Sequence, residues 1–468
     1  MAYDALLDRA HAHARAFLAT LPARYVNARM PDPSTGDPAV LCEPVAPIEV
    51  LDSLARLIDD AGLATAGPRY FGFVTGGAFP VAVAADWLVS AWDQNAALNV
   101  MSPAIAALEE VTAAWLLDLF RLPASSSVGF VTGATMANMT CLAAGRHEAL
   151  RQAGWDVEAD GFQGAPRLHV IVGAGAHASI ETAARILGFG VSNLVRVAAD
   201  AQGRMIPDAL EAALARVNGP TIVCLQAGHV NTGAFDPFAP LISLAHRHGA
   251  WIHVDGAFGL WARAAEDANV KGLADGVDAA DSWAVDAHKW LNVPYDSGIA
   301  IVATPAAHRA SMLQRASYLQ RAHEERRDGM DWTPEASRRS RVVPIYAVLK
   351  SLGRRGVSDL VLNGCARARQ MASLLQRHPA ITILNEVVLN QVLVRVRSRS
   401  GANVTSEVIA QVGREGVCWV GGTLWPTEPA MRISISNWAT SAEDIERSAA
   451  SIVDAVGSRT NSQVPSPK

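Results

Sequence analysis

The sequence predicts an α/β protein: a mainly parallel, seven-stranded sheet with helices on both faces, followed by a small C-terminal α+β domain. Three observations predict it. Between about residues 125 and 305, seven short runs rich in Val and Ile recur: SVGFVT, LHVIVG, NLVRVA, TIVCLQA, WIHVDG, SWAVDA and GIAIVA. Helical patterns such as ANMTCLAAGRHEALRQ and ASIETAARILG follow some of them, and strands alternating with helices point to a parallel sheet covered on both faces. From about residue 345 the pattern changes to a long helix and then ITILNE, QVLVRVRS and AMRISISN, with helices between and after them. That is the signature of a smaller α+β unit.

The elements divide the chain as follows. Residues 1–65 read as a helical arm, amphipathic at its start and broken by the turn-rich MPDPSTGDP. Residues 66–340 form the large domain and residues 341–457 the small one. Residues 458–468, polar and carrying two prolines, are expected to be a disordered tail. The chain has 468 residues, is 50% apolar and 18% charged, and carries a net charge of −5. That is globular composition without the clustered basic charge of a nucleic-acid binder. No run of about 18 apolar residues predicts a membrane span, and the amino terminus lacks the basic, apolar and small-residue order of a signal peptide. Cys42, Cys141, Cys224, Cys365 and Cys418 are far apart and odd in number, so neither a disulfide framework nor a CxxC metal pair is expected. These features predict reduced, buried thiols in a cytoplasmic protein, with no nucleic-acid, membrane or metal partner.

Ligands in open α/β sheets sit beyond the carboxyl ends of the strands, so the residues that follow each run carry the functional reading. After SVGFVT come Gly133, Ala134 and Thr135, opening a helix. Free N–H groups and the positive end of the helix dipole favour a phosphate there, although the same residues also make an ordinary turn with Thr135 as a cap. After LHVIVG comes His177, just before a helix whose start is marked by Ser179; it is a capping residue or a flat ring that stacks on a flat cofactor. After WIHV comes Asp255. A carboxylate at the buried end of an apolar strand needs a partner, a cation or a protonated ring nitrogen, unless it caps the turn at Gly256 and Ala257. After SWAVDA come His288 and Lys289, whose amine would form a Schiff base with an aldehyde cofactor. A phosphate cradle, a stacking ring, an acid for a ring nitrogen and an amine for an aldehyde are together what pyridoxal 5′-phosphate requires.

Those residues lie in YFGFVTGG, MSPAIAALE, FVTGATMAN, GAHASIETAARILG, AGHVNTGAFDP, HVDGAFG, ADSWAVDAHKWLNVPYDSG, SRRSR and MRISISNW. Over roughly residues 40–455 the sequence resembles the group II pyridoxal-phosphate-dependent amino-acid decarboxylases, the family of aromatic-L-amino-acid and glutamate decarboxylases, in the PLP-dependent transferase fold type I. The resemblance implies that Lys289 carries the cofactor as a Schiff base and that Asp255 pairs with the ring nitrogen. Ala257 would pack under the ring and His177 would stack on it. Ala134 and Thr135 would hold the phosphate, with Gly133, Asp286 and His288 close to it. It also implies that Asn231 and Thr232 lie beside the ring hydroxyl or the substrate. Phe71, Gly72 and Phe73 would line the substrate pocket, together with Pro103 from the other subunit of a homodimer clasped by its N-terminal helices. The reaction implied is loss of carbon dioxide from an L-amino acid through a quinonoid intermediate. The apolar YFGFVTGGAF points to an aromatic or apolar substrate.

One departure bears on the reaction. The family's mobile loop carries a tyrosine that returns the proton, whereas residues 318–339 here begin with Tyr318 and hold no tyrosine shortly before Trp332. His323, His177 or water would then donate, or the carbanion would react with oxygen to give an aldehyde, or a Cα–Cβ bond would break as in a β-hydroxy amino acid aldolase. A remote rival is a nicotinamide-dependent short-chain oxidoreductase, from FVTGAT and the YxxxK spelled by Tyr346 and Lys350. Its glycine turn is misplaced, and its YxxxK falls in a helix of the second unit.

Overall fold

The computed structural model describes residues 3–27, 44–314 and 326–460. Contacts divide the chain into two units. One comprises Gly76–Arg369 and Leu384–Val392; the other comprises Met1–Thr75, Gln370–Ile383 and Leu393–Lys468.

The first unit is built on seven strands, β1 (Ser127–Val131), β2 (His169–Gly173), β3 (Leu194–Val197), β4 (Thr221–Gln226), β5 (Trp251–Asp255), β6 (Ser282–Asp286) and β7 (Gly298–Val302), in the order β1-β7-β6-β5-β4-β2-β3. Every one of the seven apolar runs forms a strand. The β2–β3, β2–β4, β4–β5 and β5–β6 pairs are parallel. β7 runs antiparallel to both β1 and β6, so β1 points the same way as β6 and its carboxyl end lies on the same edge. All five residues of β1, β5, β6 and β7 are buried, which is why these strands read as continuous apolar runs rather than alternating ones.

Helix Ala134–Gln152 packs along the sheet. Ala137, Cys141 and Ala144 share a buried core with Val131, Val170, Val172, Ile222, Trp251, Ala284 and Ala300. The helix closes on the sheet at Gly145, where an added Cβ would lie 2.7 Å from Trp251 Cδ1. Cys141, Cys224, Cys365 and Cys418 are buried and unpaired with one another, and burial pushes the Cys141 thiol up to about 12. Cys42 lies outside the described residues.

The sequence predicts one long helix after residue 345. Helix Val342–Leu375 instead begins earlier and is broken at Gly353, whose φ of 61° is non-helical; glycine admits this turn without a Cβ clash. Tyr346 and Lys350 lie in this helix, where Tyr346 stacks on Trp115 at 5.1 Å and the Lys350 amine sits 5.8 Å from the Trp115 ring.

The second unit holds a four-stranded sheet in the order β10-β11-β9-β8, made of β8 (Ile381–Ile383), β9 (Gln391–Val396), β10 (Gly421–Leu424) and β11 (Pro429–Ser434). β8, β9 and β11 coincide with the three predicted runs. β10 was not predicted, because GGTL has only one apolar side chain and its strand character comes from pairing with β11. The Arg69–Phe71 stretch joins this unit through backbone hydrogen bonds: Phe71 N–H donates to Trp419 O at 3.0 Å, and Ser434 N–H donates to Phe71 O at 3.0 Å. Helices Asp4–Thr20 and Pro47–Ala61 meet through Asp52, which accepts from Arg9 and His13 at 2.6 and 2.7 Å. The intervening MPDPSTGDP lies outside the described residues. Among the described residues no helix is long and apolar enough to cross a membrane.

Candidate active site

Four of the sequence-predicted site segments lie at the carboxyl ends of β1, β2, β5 and β6. At the end of β1, Gly133 caps helix Ala134–Gln152. Thr135 is therefore inside the helix rather than its cap. The Ala134 N–H donates to Asp286 Oδ1 at 2.5 Å, so the Asp286 carboxylate occupies the positive end of this helix. An added Cβ at Gly133 would lie 3.2 Å from His288 Cε1 and 3.4 Å from Asp286 Oδ1; the glycine keeps this cradle open.

The lysine lies beside it. Asp286 Oδ2 stands 2.9 Å from Lys289 Nζ, while His288 Nε2 lies 3.5 Å from Asp286 Oδ1. His288 Nδ1 accepts the Ser297 N–H at 3.1 Å. Burial holds the His288 imidazole below its usual range, against the opposing charge of Asp286. The ring of Tyr295 stacks on His288 with centroids 4.2 Å apart. The lysine loop is clamped by Asn292, whose Oδ1 accepts from Gly77 N–H at 2.6 Å and whose carbonyl accepts from Phe79 N–H at 2.9 Å. Gly76 packs so closely on the Lys289 carbonyl that no side chain fits there.

Asp255 ends β5 and is buried. Its Oδ1 accepts the Ala257 N–H at 3.1 Å, the turn-capping bond, and its Oδ2 accepts from Asn138 Nδ2 at 3.2 Å. The carboxylate thus caps the turn, the second of the two sequence readings, and is also braced from the helix by the neutral Asn138 amide. Its backbone is pinned on both sides, through Ala227 N–H to Asp255 O and Gly256 N–H to Ala284 O, each at 2.9 Å. His177 is the N-cap of helix Ala178–Ile186; Nδ1 accepts the Ser179 N–H at 3.2 Å and lies 2.8 Å from Ser179 Oγ. A ring held this way keeps one orientation. His177 and Asp255 line the same small cavity at the ends of β2 and β5.

The remaining expected residues have the following surroundings. The Thr232 hydroxyl is committed to the Gln202 carbonyl at 2.6 Å, and the Thr232 carbonyl accepts from Asn385 at 2.8 Å; its side chain holds a turn. The Asn231 N–H donates to His229 Nδ1 at 3.2 Å. Pro103 opens helix Pro103–Phe120. Phe71, Gly72 and Phe73 belong to the second unit. Phe71 is buried, Phe73 is exposed at φ 53°, and Trp419 stacks beside Tyr70 at 4.9 Å and near Phe73 at 5.4 Å. Tyr318 and His323 lie outside the described residues.

The structure adds residues that were not singled out from sequence: Asn138, Ser179 as a side-chain partner, Asn292 and Tyr295. In the second unit, Arg432 on β11 is largely desolvated, which lowers its guanidinium pKa. It faces Phe73 at 6.0 Å and has no carboxylate partner among the described residues. The signal for Asn138 is legible in retrospect: a polar side chain within the apolar face of ATMANMTCLAA.

The donor set fits pyridoxal phosphate. An amine, a buried acid, a fixed flat ring and an open glycine cradle at a helix N-terminus converge on one edge of one sheet. Among the described residues no group of three or more His, Cys, Asp or Glu is placed to hold a metal ion.

Comparison with known proteins agrees. Residues 43–397 match the pyridoxal-dependent decarboxylase conserved domain. The chain is 29% identical to the L-2,4-diaminobutyrate decarboxylase of Rhizobium meliloti (strain 1021) over 395 residues, covering 81% of this chain and 75% of that protein. It is 27% identical to the acidic amino acid decarboxylase GADL1 of Homo sapiens over 352 residues, covering 73% of this chain and 66% of that one. The crystal structure of Oryza sativa TDC with PLP and tryptamine superposes with a TM-score of 0.90 over 98% of each chain at 21% identity, which shows the fold. The chain belongs to the pyridoxal-phosphate-dependent group II amino-acid decarboxylases, a family of carbon–carbon lyases.

Proposed function

We propose that this chain removes the carboxylate of an aromatic or apolar L-amino acid, with Lys289 as the lysine that carries the cofactor. The observation that carries this reading is the placement of Lys289, Asp286, Asp255 and His177 at the carboxyl ends of strands running in one direction. Bound pyridoxal phosphate supplies the electron sink that takes up the pair left behind when carbon dioxide departs.

The chain's own residues do the rest. Asp255 presents a braced carboxylate to the ring nitrogen. His177, locked by Ser179, offers one flat face. Gly133, without a side chain, leaves room for the phosphate beside His288, while the Ala134 N–H is held by Asp286. Asp286 holds the Lys289 amine at 2.9 Å and sets where it returns when product leaves. Tyr295 stacks on His288 next to Lys289, and the loop holds no tyrosine shortly before Trp332. We assign Tyr295 the return of a proton to the carbon that has lost its carboxylate. The apolar stretch YFGFVTGGAF supports an aromatic or apolar substrate. Relatives named for diaminobutyrate and for acidic amino acids set the alternatives to test. We further propose a homodimer in which Pro103 of each chain serves the other's site.

The test is to load the protein with pyridoxal phosphate, incubate it in air with a panel of L-amino acids, and identify products by mass. An amine lighter by one carbon dioxide confirms the reading and names the substrate class. An aldehyde or a smaller amino acid moves the enzyme to oxidative or aldol chemistry.

A further inference from the structure

A chain of buried hydrogen bonds runs from Asp255 back through the sheet, and none of its distal members touches the place where substrate would bind. The pleat of β5 puts Trp251, His253 and Asp255 on one face, each two residues apart. Trp251 Nε1 lies 3.1 Å from Ser282 Oγ. Ser282 Oγ lies 3.0 Å from His253 Nδ1, the two residues being paired across β5 and β6. His253 Nε2 lies 2.9 Å from Asn138 Oδ1. Asn138 Nδ2 then reaches Ser179 Oγ at 3.0 Å and Asp255 Oδ2 at 3.2 Å. Asn138, His253 and Ser282 are fully buried.

The direction of every hydrogen in this chain is set from its carboxylate end. A carboxylate only accepts, so Asn138 turns Nδ2 to Asp255 and Oδ1 to His253, whose Nε2 must be the donor. In the neutral ring Nδ1 then accepts from Ser282 Oγ, which itself accepts from the Trp251 indole N–H. Burial, which lowers the His253 pKa to about 4, keeps the ring neutral and able to play this two-sided part. The Asn138 amide therefore has one orientation, with Nδ2 towards the carboxylate. A buried network satisfied at each member is rigid, and a carboxylate held by it does not rotate away from its partner.

We propose that Asn138 and His253 are positioning residues that act through Asp255, aiming its carboxylate at the cofactor's ring nitrogen. The proposal rests on the assignment of Asp255 made above and goes beyond it, since neither residue meets cofactor or substrate.

The test uses full-length protein and compares Asn138→Leu, His253→Leu and His253→Gln with Asp255→Asn as reference. Three quantities are read: the dissociation constant for pyridoxal phosphate titrated into cofactor-free protein, the absorbance spectrum of the bound cofactor, and kcat against KM. Losing one hydrogen bond to a charged group corresponds to about a 10- to 100-fold effect. Asn138→Leu and His253→Leu are therefore expected to weaken cofactor binding and lower kcat by about that factor, with KM little changed and the spectrum shifted as in Asp255→Asn. His253→Gln, which keeps a donor facing Asn138, should return towards wild type. Wild-type affinity, spectrum and kcat in both leucine variants, with Asp255→Asn altered, would overturn the proposal. A wild-type Asp255→Asn would instead overturn the assignment of Asp255 itself. Should Asn138→Leu fail to fold, Ser282→Ala decides: a shift in the same direction supports the chain, and an unchanged affinity and spectrum refutes it.

Discussion

At the scale of single residues, the question is how one lysine is told apart from the chain's other cations. Lys289 sits behind a buried strand, its amine against Asp286, whose other oxygen is held by the N-terminus of helix Ala134–Gln152. A long flexible side chain is thereby fixed at one end of the sheet. Borohydride treatment of the cofactor-loaded protein should fix pyridoxal phosphate to the peptide containing Lys289, read by peptide mass. Label on any other lysine would remove Lys289 from its role. Much of this site was legible as residue types after strands: Asp255, His177, Lys289 and the Gly133–Ala134 turn. Asn138 was not, because its meaning depends on an acid 117 positions away. Thr232 reads from sequence as the polar neighbour of an asparagine, and only the fold shows that its hydroxyl donates to the Gln202 carbonyl.

At the scale of elements, helix Ala134–Gln152 connects the cradle at its first turn with the sheet along its length. Gly145 is where the two surfaces come closest. In an open helix, Gly→Ala stabilises by about 1 kcal/mol. Here the new Cβ would sit 2.7 Å from Trp251 Cδ1 and 2.8 Å from Nε1, and the indole is tied to Ser282. Overpacking of a fixed ring costs about 1–3 kcal/mol, so the clash wins. Gly145→Ala should lower the midpoint of chemical denaturation, and a raised midpoint would show that Trp251 is free to move. β10 and the break at Gly353 mark the limit of reading elements from pattern. GGTL is a strand through its partner's hydrogen bonds, and the Gly353 break is a single backbone angle within an otherwise continuous helical periodicity.

At the scale of the whole molecule, helix Pro47–Ala61 has no buried residue, yet Val50, Leu54 and Ile58 stand four apart on one face, each exposed by 42% or more. Trp87, Leu88 and Trp92 on helix Pro80–Trp92 are likewise exposed. Exposed apolar stripes mark interaction sites, and these are the surfaces the proposed homodimer would bury. Gel filtration at micromolar concentration should give twice the mass of the 49.5 kDa chain, and Leu54→Glu with Ile58→Glu should shift it towards one. A monomeric wild type would count against a site shared between copies.

The sequence by itself determined the seven strands of the large sheet, their order along the chain and the chemistry gathered at their ends. Each of these is written locally: a buried strand in a run of Val and Ile, a ligand group in the one or two residues after it. The tertiary structure alone decided that β7 runs against its neighbours. It also decided that Asp286 closes a helix 152 positions before it, that Asn138 and His253 stand behind Asp255, and that Tyr295 lies on His288. These are pairings between distant segments, and their hydrogen bonds have direction and length only when the sheet brings the partners together.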